Sequence, residues 1–370
     1  MSLDSFAWLA VFPALGFLIV IHEIGHYWVG RKMGIKIEEF GIGFPPRAKV
    51  LFTRKGVPFT LNWLPLGGFV RFAGEESGFD DPDSLLSASP GRRIPVLAAG
   101  VIANVLVAMA LFAIIFSIWG YPQVVPGHTE IGTLYENAER AGLKVNDRIV
   151  SINGQPITEP AQVKPIVQQS KGQPVAVAIE RDGQPQTISV TPQLDDKGDY
   201  LIGVGVSPKV ENTRINPFQA LWRGITHSFV LLVEMFTGFA TLLGSLFGLA
   251  AAPDGGLAGP VGIARITGAA ARNGLRDYLQ LTAVLSLNLA LINILPIPAL
   301  DGSRIVFALV EAVRRKKIAP EREAFVHAVG MTVLLGLMLL ITVSDVSNVI
   351  NDKPPISGGD APTVVTTPTP

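Results

Sequence analysis

Cysteine is absent from this sequence. That removes disulfides, thiolate metal sites and a cysteine nucleophile, and leaves His, Asp and Glu to hold any metal. Charge is scarce as well: 16% of residues are Asp, Glu, Lys or Arg, against about 25% in ordinary soluble domains. Acidic and basic residues balance at 30 each, so no global basic excess exists to recruit nucleic acid, and polyanion binding is not expected. What is plentiful is apolar surface. Hydrophobic residues make up 48% of the chain and the mean hydropathy is positive, which points to a membrane protein with the lipid bilayer as solvent. The opening MSLDSFAWLA has no basic n-region and no small-residue cleavage site, so its apolar run reads as a retained span and not a signal peptide.

A helix needs about 20 mostly apolar residues to cross the hydrocarbon core. Phe6 to Gly30 meets this with His22, Glu23 and His26 as its polar interruptions. Ile94 to Gly120 carries no charge and follows Arg92 and Arg93. Tyr278 to Leu300 contains Asn288, Asn293, Pro296 and Pro298 and runs into Asp301. Ala324 to Ser344 closes the set, with His327 near its start and Asp345 just beyond. A fifth stretch, Ser228 to Pro253, is also long enough. Cytoplasmic loops are enriched in Lys and Arg, and ten of them lie between Arg31 and Arg93, with Arg314, Arg315, Lys316 and Lys317 after the third span. Four spans place both basic segments in the cytoplasm. Five would export the second and put Asp301 at the membrane face opposite His26. The stretch 228–253 therefore reads as an interfacial or re-entrant helix within a 208–277 region.

Between the second and third spans, 121–207 is soluble in composition. Val175, Val177 and Ile179 alternate ahead of an Arg181-Asp182-Gly183 turn, so it reads as a small β-rich domain. The cytoplasmic segment 36–75 also has strand character around a Lys55-Gly56 turn, which predicts a short membrane-associated sheet. The tail 351–370, rich in Pro, Gly and Thr, has little to bury and is expected to be disordered. The whole is a polytopic α-helical membrane protein of about four transmembrane helices: an N-terminal half of a membrane core over 1–120 and a C-terminal half over 278–350.

HEIGH at 22–26 is the H-E-x-x-H pattern: helical i, i+4 spacing puts both imidazoles on one face, and the Glu follows the first. Two such His can bind one zinc ion, which lowers the pKa of a coordinated water toward about 7. Glu23 can then accept that proton and pass it to a leaving amine. Ionisable groups inside a span cost about 2.5 kcal/mol or more each, so three at ligand spacing mark a functional site. Catalytic zinc wants a third protein ligand and an open position. Glu38 and Glu39 follow closely but read as solvated charges of a basic, strand-forming loop. Asp301 ends the third span at the depth of His22 and His26 and is the better ligand. Glu234 and Asp345 read as structural, and His128, His227 and His327 as bystanders.

HEIGH with NILPIPALDG at 293–302 resembles the site-2 protease family of intramembrane zinc metalloproteases, in its bacterial PDZ-containing branch that includes regulator of sigma-E protease-like enzymes. GIGFPP at 41–46, LNWLPLGGFVRFAGE at 61–75, Gly100 with Asn104, and GPVGI at 259–263 match it too, and AERAGLKVNDRIVSINGQPI at 138–157 is similar to the core of a bacterial PDZ domain. The resemblance covers all but the tail. It implies one zinc ion on His22, His26 and Asp301, Glu23 as the catalytic residue, and Asn293 as a contact to substrate backbone. It also implies a multi-pass protein of the bacterial inner membrane, with the PDZ domain and termini outside and the site toward the cytoplasm. Many relatives carry two PDZ domains, and this chain has room for one.

The physics agrees. A transmembrane substrate hides its peptide bonds in helical hydrogen bonds, so it must unwind locally and have its freed backbone groups satisfied. Pro296 and Pro298 break the ladder of the third span, Asn293 offers a donor and an acceptor, and strands near 48–72 offer an edge. For Gly100 and Asn104 close helix packing is the favoured role. The expected activity is cleavage of transmembrane segments of single-pass membrane proteins, such as anti-sigma factors or remnant signal peptides. A PDZ-bearing adaptor with a structural zinc site would have no use for Glu23. A transporter is suggested by broken helices, but no inverted repeat is visible.

Overall fold

The computed structural model describes residues 3–74, 83–195, 198–249 and 258–351. The chain divides into two compact units: one formed by the chain up to Trp119 and from Ile215 onward, the other by Gly120–Arg214.

The first unit opens with a tight helical stretch, Leu3–Ala10, leading into α1 (Val11–Lys32). Arg31 and Lys32 place positive charge at the carbonyl end of α1, and Gly34 at φ +68° turns the chain away. Next come β1 (Ile37–Arg54) and β2 (Val57–Phe72), a single antiparallel hairpin. Lys55 and Gly56 both take positive φ (51° and 84°), and Arg54 pairs with Val57; this two-residue turn matches the natural twist of paired strands. Tyr27 of α1 packs edge-on against Phe40 and Phe59, which stack on one another with centroids 4.8 Å apart. The base of the hairpin is thus seated on α1. Helix α2 (Pro90–Trp119) follows. It meets α1 closely because Gly25 has no Cβ; one added there would collide with the Ala99 carbonyl.

The second unit runs β3 (Tyr121–Leu134), α3 (Glu136–Ala141), β4 (Arg148–Ile152), β5 (Gln155–Pro156), α4 (Val163–Gln169), β6 (Val175–Arg181), β7 (Gln184–Val190), β8 (Gln193–Leu194), β9 (Tyr200–Leu201) and β10 (Val204–Thr213). Its main sheet has the order β10-β3-β4-β6-β7, all neighbours antiparallel, with β5 paired to β4. Val175, Val177 and Ile179 point into a core with Ile131, Ile149 and Val190, each 1% exposed or less. Asp182 and Gly183 make the β6–β7 turn with positive φ. The change in composition near 207 falls inside β10, which continues to Thr213 and pairs it with Tyr121. The unit therefore begins and ends at one place.

The first unit resumes with α5 (Pro217–Leu246), α6 (Pro260–Asn273), α7 (Leu275–Ile294), α8 (Asp301–Arg314) and α9 (Pro320–Ile350). Helix α5 starts well before 228 because Asn216 caps it, accepting a hydrogen bond from the Gln219 amide. Its buried residues, Ala220, Gly224, His227, Ser228 and Leu231, lie at helical spacing in its first half. Helix α7 stops at Ile294, short of 300, because Pro296 cannot donate to the ladder and forces Leu295 into extended backbone (ψ 146°). Helix α9 is longer at both ends than the apolar run 324–344, taking in Glu323 and Asp345.

Among the described residues, five helices are long and apolar enough to cross a membrane: Phe6–Lys32, Pro90–Trp119, Pro217–Ser245, Leu275–Ile294 and Pro320–Ile350. Pro217–Ser245 satisfies the same requirement as the other four, so the case against its crossing rests on charge placement alone. Residues 352–370, expected to be disordered, lie outside those described.

Candidate metal centre

His22 and His26 sit one helical turn apart on α1, their rings edge to face with centroids 4.7 Å apart. Asp301, the first residue of α8, comes to meet them. Its Oδ2 lies 3.0 Å from His22 Nε2 and 3.2 Å from His26 Nε2, and the two Nε2 atoms are 3.1 Å apart. Among the described residues this is the one group of three His, Asp or Glu side chains with donor atoms close enough to share an ion. The histidines are almost wholly buried, and Asp301 remains partly open.

Helix α2 orients the rings. His26 Nδ1 donates to the Val96 carbonyl at 2.7 Å, which leaves its Nε2 lone pair facing the centre. His22 Nδ1 lies 3.2 Å from the Asn104 side-chain amide. The Asn104 Oδ1 is buried without a partner in the orientation drawn. Amide oxygen and nitrogen are assigned by their hydrogen bonds, and turning this amide over lets His22 Nδ1–H donate to Oδ1. Both Nε2 atoms then present lone pairs to the same point. The Asn104 carbonyl accepts from Ser286 Oγ at 2.8 Å, which ties α2 to α7. Gly100 stands between Val96 and Asn104 on this face; a Cβ there would come within 2.5 Å of His26 Nε2 and 2.6 Å of His22 Nε2. Close packing, the role favoured from sequence, is only part of what Gly100 and Asn104 do. They form the floor under the imidazoles.

The turn from α7 into α8 presents Asp301. Gly302 has no room for a Cβ, which would run into the carbonyls of Ile294 and Leu295, and Ser303 Oγ donates to the Leu300 carbonyl at 2.7 Å. A cavity of about 480 Å³ opens over the cluster, with His22, Glu23, His26, Asn293, Asp301 and Arg304 as its polar lining. Phe44 and Phe69 from the hairpin contribute apolar walls. Glu23 receives a hydrogen bond from the Val70 main chain. Pro296 is exposed, and Pro298 packs against Gly330 of α9; neither lines the cavity.

The remaining candidates lie elsewhere. Glu39 is held by Arg47 at 2.7 Å, by Thr60 Oγ1 at 2.7 Å and by Arg71 at 3.5 Å within the hairpin. Burial works against its ionisation, but those hydrogen bonds and charges outweigh it and hold its carboxyl below the usual range. Asp345 accepts the Gly262 N–H at 2.8 Å, stabilising the first turn of α6, and this is the structural use of GPVGI. His227 lies edge-on between Phe112 and Phe116, and His128 pairs with Glu130. His327 is no bystander: its Nδ1 accepts the Ala299 N–H at 2.9 Å.

The chain matches the model of peptidase family M50 over residues 10–337. The chain belongs to this family. Family M50, the site-2 protease family, is a family of metallopeptidases, and HEIGH of α1 and the Leu300-Asp301-Gly302 turn into α8 both fall within the matched residues. Relatives agree along nearly the full length. The Rhizobium meliloti protein named "Putative zinc metalloprotease R01501" is 33% identical over 359 residues, covering 90% of this chain and 94% of the relative. A Campylobacter jejuni protein, "Putative zinc metalloprotease Cj1068", is 33% identical over 365 residues, covering 94% and 95%. Zinc metalloprotease RasP of Geobacillus kaustophilus is 28% identical over 411 residues, covering 90% and 95%.

Proposed function

We propose that this M50 peptidase is an intramembrane zinc metalloendopeptidase that cleaves transmembrane segments of single-pass membrane proteins, with His22, His26 and Asp301 as zinc ligands and Glu23 as general base and acid. The observation that carries the reading is the meeting of those three donor atoms, from chain positions 279 residues apart, over a cavity that also holds Glu23.

The donor set fits zinc. In a tetrahedral site with bonds of about 2.0–2.1 Å, donor atoms stand about 3.3 Å apart, and the three here are 3.0, 3.1 and 3.2 Å apart. Two neutral imidazoles and one carboxylate leave an open fourth position, as catalytic sites require. When bound, zinc supplies Lewis acidity that polarises the scissile carbonyl and makes water nucleophilic near neutral pH. Glu23 takes one proton from the attacking water, whose oxygen bonds to the carbonyl carbon, and returns it to the nitrogen as the C–N bond breaks. Asn104 and the Val96 carbonyl keep each ring in the tautomer that leaves Nε2 free.

Asn293, at the rim of the same cavity, can satisfy a main-chain donor and acceptor of an unwound substrate. Pro296 and Pro298 serve it indirectly, by ending α7 so that Asn293 and Asp301 face one space. The unit Gly120–Arg214 is a single extracytoplasmic PDZ-type domain that screens substrates, by size or by gripping a new C-terminus. Four spans in the bacterial inner membrane, with both basic segments in the cytoplasm, place the site toward that side. Anti-sigma factors already trimmed outside, or remnant signal peptides, have the required form.

Zinc content and cleavage of a model transmembrane substrate in detergent, for wild type, Glu23→Gln and Asp301→Ala, test the reading together. Wild type should hold one zinc and cleave, Glu23→Gln should hold zinc and be inactive, and Asp301→Ala should lose both. A cleaving Glu23→Gln variant, or a wild type without zinc, overturns the proposal.

A further inference from the structure

Asp301 owes its position to a short non-helical segment, Leu295 to Leu300, between α7 and α8. Within that segment Ala299 takes φ +80°, a conformation that L residues with a Cβ adopt rarely and keep only when their surroundings hold them in it. Helix α9 supplies the hold in two ways. His327 Nδ1 accepts the Ala299 N–H at 2.9 Å. One turn further on, Gly330 lies flat against Pro298: a Cβ on it would collide with the Pro298 ring and come within 2.9 Å of its carbonyl carbon and oxygen. The left-handed residue is thus bonded through its N–H, and the residue before it is backed, by the same helix.

A buried ionic cluster lies behind His327. Accepting at Nδ1 puts the ring hydrogen on Nε2, which faces Glu323 Oε1 at 3.8 Å, within ion-pair range but beyond hydrogen-bond reach. The other oxygen of Glu323 lies 3.5 Å from Arg93 Nη2, and Arg93 Nη1 donates to Glu311 at 2.7 Å. Glu311 in turn accepts the Ile318 N–H at 2.9 Å, closing the turn between α8 and α9. Arg93 is 2% exposed and both carboxylates are nearly as buried. It belongs to α2, the helix whose Val96, Gly100 and Asn104 orient the two histidines.

We infer that His327 is a positioning residue for Asp301: its hydrogen bond to the Ala299 amide holds the left-handed turn that points the carboxylate at His22 and His26. The buried Arg93–Glu323–Glu311 cluster fixes α9 to the same frame that sets the imidazoles. All three donors are then referenced to α2, the histidines directly and Asp301 through Arg93, α9 and the 295–300 turn. This inference rests on the reading of Asp301 as a metal ligand and adds a role that His327 performs without touching metal or substrate.

The test uses the full-length protein in detergent, with His327→Leu, His327→Asn and His327→Gln beside wild type. Three quantities are read: metal affinity by chelator competition, the visible spectrum of the cobalt-substituted protein, and kcat separately from KM. Leu fills the space without an acceptor, Asn places one near the Nδ1 position, and Gln places it near Nε2. His327→Leu should bind metal about ten-fold more weakly, with an altered cobalt spectrum, a reduced kcat and an unchanged KM. His327→Asn should return close to wild type, and His327→Gln should not. If His327→Leu fails to fold, the comparison of Asn with Gln decides on its own. Equal behaviour of Asn and Gln, or wild-type metal affinity and kcat in His327→Leu, overturns the inference. Failure of the metalloprotease reading itself would be seen in the wild type, which would bind no metal and cleave nothing.

Discussion

Gly100 lies under the imidazole of His26: a Cβ built on it would stand 2.5 Å from Nε2, and 2.6 Å from the corresponding nitrogen of His22. Replacing it by alanine sets two effects against each other. Helix propensity favours Ala over Gly by about 0.8–1.0 kcal/mol, so α2 itself should gain. The added methyl occupies the space in which the rings converge. Overpacking a buried site costs about 1–3 kcal/mol, which outweighs that gain, so Gly100→Ala should melt lower than wild type and lose about 10–100-fold in metal affinity, checked by thermal unfolding beside chelator competition. A variant that keeps full metal affinity would show that the rings have room elsewhere.

The Asn104 side-chain amide reaches the centre through His22 Nδ1. Asn104→Leu removes the acceptor that selects the tautomer, and metal affinity should fall about 10–100-fold, as for other outer partners of metal-bound histidines. Asn104→Asp keeps an acceptor at the same place and should retain far more. Nitrogen chemical shifts of His22 in labelled protein read the tautomer directly. Zinc on Nε2 by itself fixes the Nδ1–H form, so the comparison is made on metal-free protein, where a smaller share of His22 protonated at Nδ1 is expected in Asn104→Leu than in wild type.

Glu39 ties β1 to β2 through Arg47, Thr60 and Arg71, and its carboxyl titrates below the ordinary value of 4.5. A lowered folded-state pKa means that the stabilisation is fully present above pH 4.5 and is lost as the pH falls through the folded value. Hydrogen exchange of the hairpin amides should accordingly rise, relative to the intrinsic rate, as the pH is taken below that range. Glu39→Gln should destabilise the hairpin by about 1–2 kcal/mol at neutral pH and remove the acid-side loss. Zinc content should be unchanged in that variant, because Glu39 is tied up within the hairpin.

Tyr121 pairs with Thr213, so the unit Gly120–Arg214 can be excised and its ends bridged by a short linker. The excised protein should keep one zinc and cleave the model substrate, and it should also cleave untrimmed membrane proteins that the full chain refuses. Loss of zinc on excision would assign the unit a structural role in place of a screening one.

The parts of this protein that were legible in its sequence are those decided over a few residues. HEIGH places His22 and His26 on one face because the helical repeat is local, and the apolar runs are read directly as helices. The Lys55-Gly56 and Asp182-Gly183 turns are legible because only certain residues accept positive φ. Helix ends were harder. Composition placed the end of the third span at Leu300, but the backbone restriction before Pro296 acts at Leu295. The start of α5 followed its Asn216 cap and not the start of the apolar run at 228.

Asp301 was within reach of the sequence through charge placement, which sets membrane depth but not which residues touch, and through the resemblance carried by NILPIPALDG at 293–302. Gly100 and Asn104 carried a faint signal, a small and a polar residue four apart on one helical face. His327 carried none. It works by accepting a backbone N–H from a residue whose type is irrelevant to the bond, and such an interaction leaves no pattern in the chain. Sequence by itself determined the long apolar helices, the turn types and the pair of imidazoles, since each follows from short-range sterics or hydropathy. Only the tertiary structure decided that α2 lies under those imidazoles and that α9 holds the turn before Asp301. Those relationships join residues far apart in the chain, and close packing between helices alone brings them within hydrogen-bonding distance.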